Sequence, residues 1–345
     1  MSGLAAFLWD LAKVGGAGFV AVGAGGSGGA GWVDAFVQRT TKPVPGSNVG
    51  AGVYQNRPSP TEDAVTATGV SYNSTNREYT VTAGVTVEDR VFYGFVNLGN
   101  GSVLLNCRIA GPPAEIANTR AIVQGPSTSG QGRIEFCTID PTVASAHYDG
   151  IGRGVYAKRS WITNVVDGIR GFSTSASGAR IYAEGCVFDR AVQFSPDYVN
   201  TRAETHNDVG VQLQGNPSGT NDDIVLDGCA VNARHSLTKG DVPPYRAQIA
   251  AIMFTPQTSV GAAHAKVVYC WLEGGVFCVN AGSDATLMAS SSLEVSYCRF
   301  ERPGTDAYGD GRAPDVALAV DSSLPFTGVG NTYIDNGANV PVTNA

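Results

Sequence analysis

A short pattern, apolar-x-apolar-x-x-Cys-x-apolar, recurs eight times in this chain, with Cys107, Cys137, Ser160, Cys186, Cys229, Cys270, Cys298 and Thr332 in the cysteine slot. The slots are 23 to 43 residues apart. A repeating step whose loops vary in length is the signature of a solenoid. In Ile181-x-Ala183-x-x-Cys186-x-Phe188 and Leu293-x-Val295-x-x-Cys298-x-Phe300 each apolar pair is two apart, but the pairs are separated by three. Residues i and i+2 share one face of a strand, so the three-residue step means two short strands joined by a corner, with a small side chain just past the bend.

A second apolar stretch follows the motifs, at 121–125, 166–171, 209–215, 249–254, 274–279 and 315–320. Each repeat therefore has about three sides. Stacking such repeats pairs each strand with its equivalents above and below, roughly 4.8 Å away, in parallel sheets. The predicted fold is all-β, a parallel β-helix, right-handed because parallel crossovers default to that hand. A β-sandwich or barrel also has many short strands. Neither gives a reason to place the same small residue after the same phase slip eight times. The β-helix is expected over 79–335, after a linker or spacer at 39–78 rich in Pro, Ser, Thr, Asn and Gly, and before a C-terminal tail at 336–345.

With 44 glycines, 17 prolines and 15% charged residues, the chain suits tight corners rather than helices. Six of the seven cysteines occupy the corner slot. That role makes them small buried hydrophobes rather than disulfide partners, and the absence of a Cys-x-x-Cys pair disfavours zinc. A net charge of −7, a pI near 5.1 and the lack of a basic run argue against nucleic acid, which needs a positive stripe. Sugars or protein surfaces are the expected partners.

Residues 1–38 read differently. Leu4, Phe7, Leu8, Leu11 and Val14 have helical spacing, and nine glycines follow between Gly15 and Gly31. Strongly apolar side chains are too few there for a membrane span, and no Lys or Arg precedes the apolar run as in a secretory signal. An attachment segment that orders when packed on copies of itself or another protein is expected.

Two features carry candidate chemistry. The long loops 189–208 and 232–247 bring Tyr198, Arg202, Glu204, His206, Asp208, Arg234, His235, Lys239, Asp241, Tyr245 and Arg246 to one region, and Tyr198, Arg202, His235, Tyr245 and Arg246 are the candidate glycan or partner contacts. Acidic residues also recur in His147-Tyr-Asp149-Gly150, Asp167-Gly168 and His206-Asn-Asp208. In register, Asp149, Asp167 and Asp208 would stack, so one pKa would rise or a cation would bridge them. With His147 and His206 they are the catalytic candidates. No cofactor is expected, and calcium is the one metal the row leaves open. Asp-Gly is equally a common turn former. No Gly-x-Ser-x-Gly elbow or phosphate-binding glycine loop is present.

The stretch from Tyr79 to Gly111, YTVTAGVTVEDRVFYGFVNLGNGSVLLNCRIAG, resembles the opening coils of pectin-lyase-like right-handed β-helix proteins, and HNDVGVQLQG at 206–215 resembles a strand they carry. Together with the Gly-rich N-terminus, the chain resembles phage minor tail proteins of that architecture. The resemblance implies a virion component at the tail tip, often trimeric, joined to other tail proteins through residues 1–38. It implies contact with a host surface glycan or protein, or degradation of that glycan by a lyase or hydrolase. Of the polygalacturonase motifs, Asp222-Asp223 alone is matched.

Overall fold

The computed structural model describes residues 40–126, 130–170, 181–195, 209–213, 224–233, 237–240, 250–256, 262–282, 288–304 and 314–344, all within one compact unit, Val33–Ala345. The attachment segment at 1–38 lies outside them. The chain is nearly all β, with long parallel sheets. Most passes contribute one strand to each of three sides. Two sides are nine-stranded sheets, one running from Thr86–Glu88 to Phe326–Thr327 and the other from Val91–Phe92 to Thr332–Tyr333. The third side holds two five-stranded sheets, linked by the single-residue pairs Ile151 with Ile169 and Arg170 with Gln212.

The three-residue step has one backbone cause. The residue before each slot takes the left-handed region: Asn106 (φ 52°), Phe136 (50°), Arg159 (46°), Gly185 (58°), Gly228 (63°), Tyr269 (56°), Tyr297 (56°) and Gly330 (67°). That conformation costs a non-glycine residue roughly 1–2 kcal/mol. Stacking of successive corners offsets part of it: Arg159 lies over the Phe136 ring at 5.6 Å, and Tyr269 stacks on Tyr297 at 5.2 Å.

Just past the corner the slot residues form one column. Their side chains add a second hydrogen bond to corner carbonyls that already accept a backbone N–H from the neighbouring pass, as Glu135 O does from Asn106 N, Lys158 O from Phe136 N and Ser296 O from Tyr269 N. The Cys137 thiol donates to Glu135 O and Leu104 O, the Ser160 hydroxyl to Lys158 O and Ile134 O, and the Cys298 thiol to Ser296 O and Val267 O. Small side chains with a donor fit here, which explains Cys or Ser in place of Ala.

The eighth slot is a correction. Register pairs Arg299 with Thr332, so Cys298 faces Asn331, not Thr332. The apolar pattern misleads in this pass because Val329 and Ile334 are 52% and 41% exposed, while Phe326 and Tyr333 pack against the core. Inward residues run the length of the stack, as in Leu104, Ile134, Ala157, Ala183, Leu226, Val267 and Val295, which are paired in register and fully buried. Each large member contributes about 1.5–3 kcal/mol of apolar burial.

The expected spacer at 39–78 is part of this structure. Residues 40–57 form a strap across successive passes. Lys42 Nζ meets both Glu273 oxygens at 2.6 and 2.7 Å, and Val49 packs with Trp271, Ala230, Val187 and Trp161. Gly50 N bonds Arg159 O, Ala51 N bonds Thr138 Oγ1, Gly52 N bonds Asn106 Oδ1, and Arg57 pairs with Asp89 at 3.0 Å. Val70–Asn73 then pairs antiparallel with Glu78–Val81 and closes that sheet edge. The expected tail also joins the sheets, since Thr343–Asn344 pairs with Ala319 and Val320.

Candidate functional site

The third side carries the candidate chemistry where its two sheets meet. Tyr148–Ile151 lies beside Arg120–Gln124, with Asp149 level with Ala121. On its other flank Gly150 N bonds Asp167 O at 2.8 Å and Ile151 N bonds Gly168 O at 3.1 Å, so Asp149 and Asp167 occupy neighbouring passes at one level.

Glycines set this register. A Cβ on Gly150 would sit 2.4 Å from Gly168 O, and one on Gly168 would sit 2.4 Å from Gly210 O. Neither Asp-Gly pair is a left-handed turn, because Gly150 and Gly168 are not among the residues of positive φ. Close backbone approach is what requires glycine here. The register carried on from Gly168 and Gly210 puts Val209 in the third place of the row. Asp208 and His206 themselves lie outside the described residues.

Asp149 and Asp167 are 2% and 7% exposed. The cation on Asp149 is the Arg170 guanidinium, at 2.9 Å. Among the described residues no three acidic, thiol or imidazole groups gather as a metal site would need. His147 Nδ1 and Thr119 Oγ1 are 3.0 Å apart. The backbone of His147 accepts from Arg120 N.

In front of these groups is an open cleft of about 360 Å³, lined by Thr119, Arg120, Ala121, Gln124, Gly152, Arg153 and Arg170. Its size falls within the usual range for small-molecule sites. Arg120 is anchored by Glu78 at 2.6 Å and Asn97 at 3.1 Å, with its guanidinium 4.5 Å from the centre of the Phe95 ring. The cleft is thus lined by three arginines, a threonine and a glutamine, and Arg170 ties it to Asp149. Arg120 and Arg153 are residues that the sequence pattern did not single out.

The candidates Tyr198, Arg202, His235, Tyr245 and Arg246 lie outside the described residues. Their two loops are nevertheless joined: Val192–Ser195 pairs in parallel with Leu237–Gly240. Among the described residues no helix is long and apolar enough to cross a membrane. Compared with family models, curated proteins and solved structures, the chain has no significant match in any of the three.

Proposed function

We propose that this chain is a virion protein of a phage tail tip, wound as a right-handed parallel β-helix, that contacts a glycan or receptor on the host surface. The observation that carries the contact reading is the open cleft on the third side, lined by Thr119, Arg120, Gln124, Arg153 and Arg170, while Asp149 and Asp167 are buried. Donor-lined clefts of this kind suit sugar oxygens. The tail-tip part is supported by the resemblance of Tyr79 to Gly111 and by the glycine-rich residues 15–31. In this reading residues 1–38 join other tail proteins, and the chain acts as a trimer. Several copies on one particle raise the effective concentration of weak sites, so a low-affinity contact suffices for attachment.

Depolymerisation by Asp149, Asp167 and Asp208 with His147 and His206 is the weaker reading. A general acid or nucleophile has to reach the glycosidic bond, whereas Asp149 is buried and held by Arg170. The test is to add purified full-length protein to host cells and to their isolated surface glycan. Saturable binding without release of reducing or unsaturated ends is expected. Prompt release, abolished by Asp149→Asn, would replace this reading with the enzymatic one, and failure to bind cells would remove the attachment role.

A further inference from the structure

We infer that the cleft between Thr119 and Arg170 binds an isolated anionic substituent, a carboxylate or phosphate carried on a sugar, with Arg153 as its principal cation. This rests on the glycan-contact reading and names the chemical class of the ligand. Arg120, Arg153 and Arg170 line the cleft. Two of these charges are matched, Arg120 by Glu78 and Arg170 by Asp149. Arg153 has no acidic partner among the described residues, and it lies on a chain of net charge −7.

An oxyanion in the cleft gives Arg153 a partner, and the planar fork of a guanidinium matches carboxylate or phosphate in bidentate fashion. Gly152 packs closely on the neighbouring strand, since a Cβ there would meet Ala121 Cβ at 3.0 Å and Gln124 Cγ at 3.4 Å. Thr119 and Gln124 then offer hydrogen bonds to sugar hydroxyls. The acidic remainder of the chain repels a densely charged polymer, which favours a glycan with sparse anionic groups over nucleic acid.

Calorimetric titration of the full-length protein with three probes tests this: a glucuronyl trisaccharide, a phosphorylated trisaccharide and neutral maltotriose. One acidic probe is expected to bind, more weakly as salt rises, and the identity of that probe separates carboxylate from phosphate. Maltotriose should bind at least about tenfold more weakly. Arg153→Gln should weaken the acidic probe about 10- to 100-fold. Gln124→Glu, a half-buried surface change that places a like charge in the cleft, should weaken it as well. Equal binding of all three probes, binding of none, or unchanged binding by both variants overturns the inference. If cells are bound while no acidic probe is, the cleft assignment fails and the attachment reading stands. If an acidic probe binds through Arg153 while cells are ignored, the attachment reading fails and the cleft assignment stands.

Discussion

Asn331 Oδ1 accepts a hydrogen bond from the backbone N–H of Cys298 at 3.0 Å, while its Nδ2 donates to Val295 O at 2.7 Å. Ser160 does the same one end earlier, accepting from Cys137 N at 3.1 Å and donating to Ile134 O at 3.5 Å. The slot is therefore a hydrogen-bonding position as well as a packing one. Asn331→Ala leaves a buried donor and acceptor without their partner and should cost about 1–3 kcal/mol. Asn331→Ser, which keeps both functions, should cost less. Urea unfolding of the two variants checks the order, and equal midpoints would reduce the slot to a matter of volume.

All seven cysteines are free and buried. Burial pushes the thiols of Cys137, Cys186, Cys229 and Cys270 well above their ordinary range. The thiolate is the reactive form. The native protein should therefore resist a thiol reagent at pH 8, and unfolding should expose all seven. Folded thiols ionise later than unfolded ones, so their contribution is intact below about pH 8.5 and is lost as pH rises above it, by about 1.4 kcal/mol per thiol per pH unit. A denaturation midpoint that holds steady from pH 8 to 10 would contradict this.

The strap predicts coupling over a long distance in sequence. The Glu273 side chain is 3% exposed and that of Lys42 is 36% exposed. Lys42→Met removes the cation from a buried carboxylate, and with the lysine partly solvated the expected loss is about 1–3 kcal/mol. Lys42→Met combined with Glu273→Met should recover most of it. A double variant as unstable as the sum of the two single changes would show that the pair does not interact.

The glycine row can be tested against a glycine that serves only its own φ. Gly150→Ala drives a Cβ toward the Gly168 carbonyl and Ile162 Cγ2, 2.4 and 2.5 Å away, and should cost about 1–3 kcal/mol or more through overpacking. At Gly337 (φ 69°) nothing lies within 4 Å, so Gly337→Ala should cost only about 1 kcal/mol of backbone strain. Thermal unfolding of both variants gives the comparison, and a smaller effect at Gly150 would refute the close approach of those passes.

The all-β class, the three sides of each pass and the column from Cys107 to Cys298 were legible in the sequence, because strand alternation and its slip at a corner are local properties of consecutive residues. Relations between passes were not legible in this way. Whether Asn331 or Thr332 fills the last slot depended on which apolar residues face outward, and Val329 and Ile334 do. Gly150 against Gly168 fixes the level of Asp149 beside Asp167 and leaves Val209 in the third place. Lys42 reaches Glu273 across 231 residues. Arg120, Arg153 and Arg170 share no motif, yet line one cleft. Periodicity reports the face a side chain takes within its own strand. Loop lengths and backbone contacts between passes decide which side chain of another pass it meets, and only the tertiary structure contains that information.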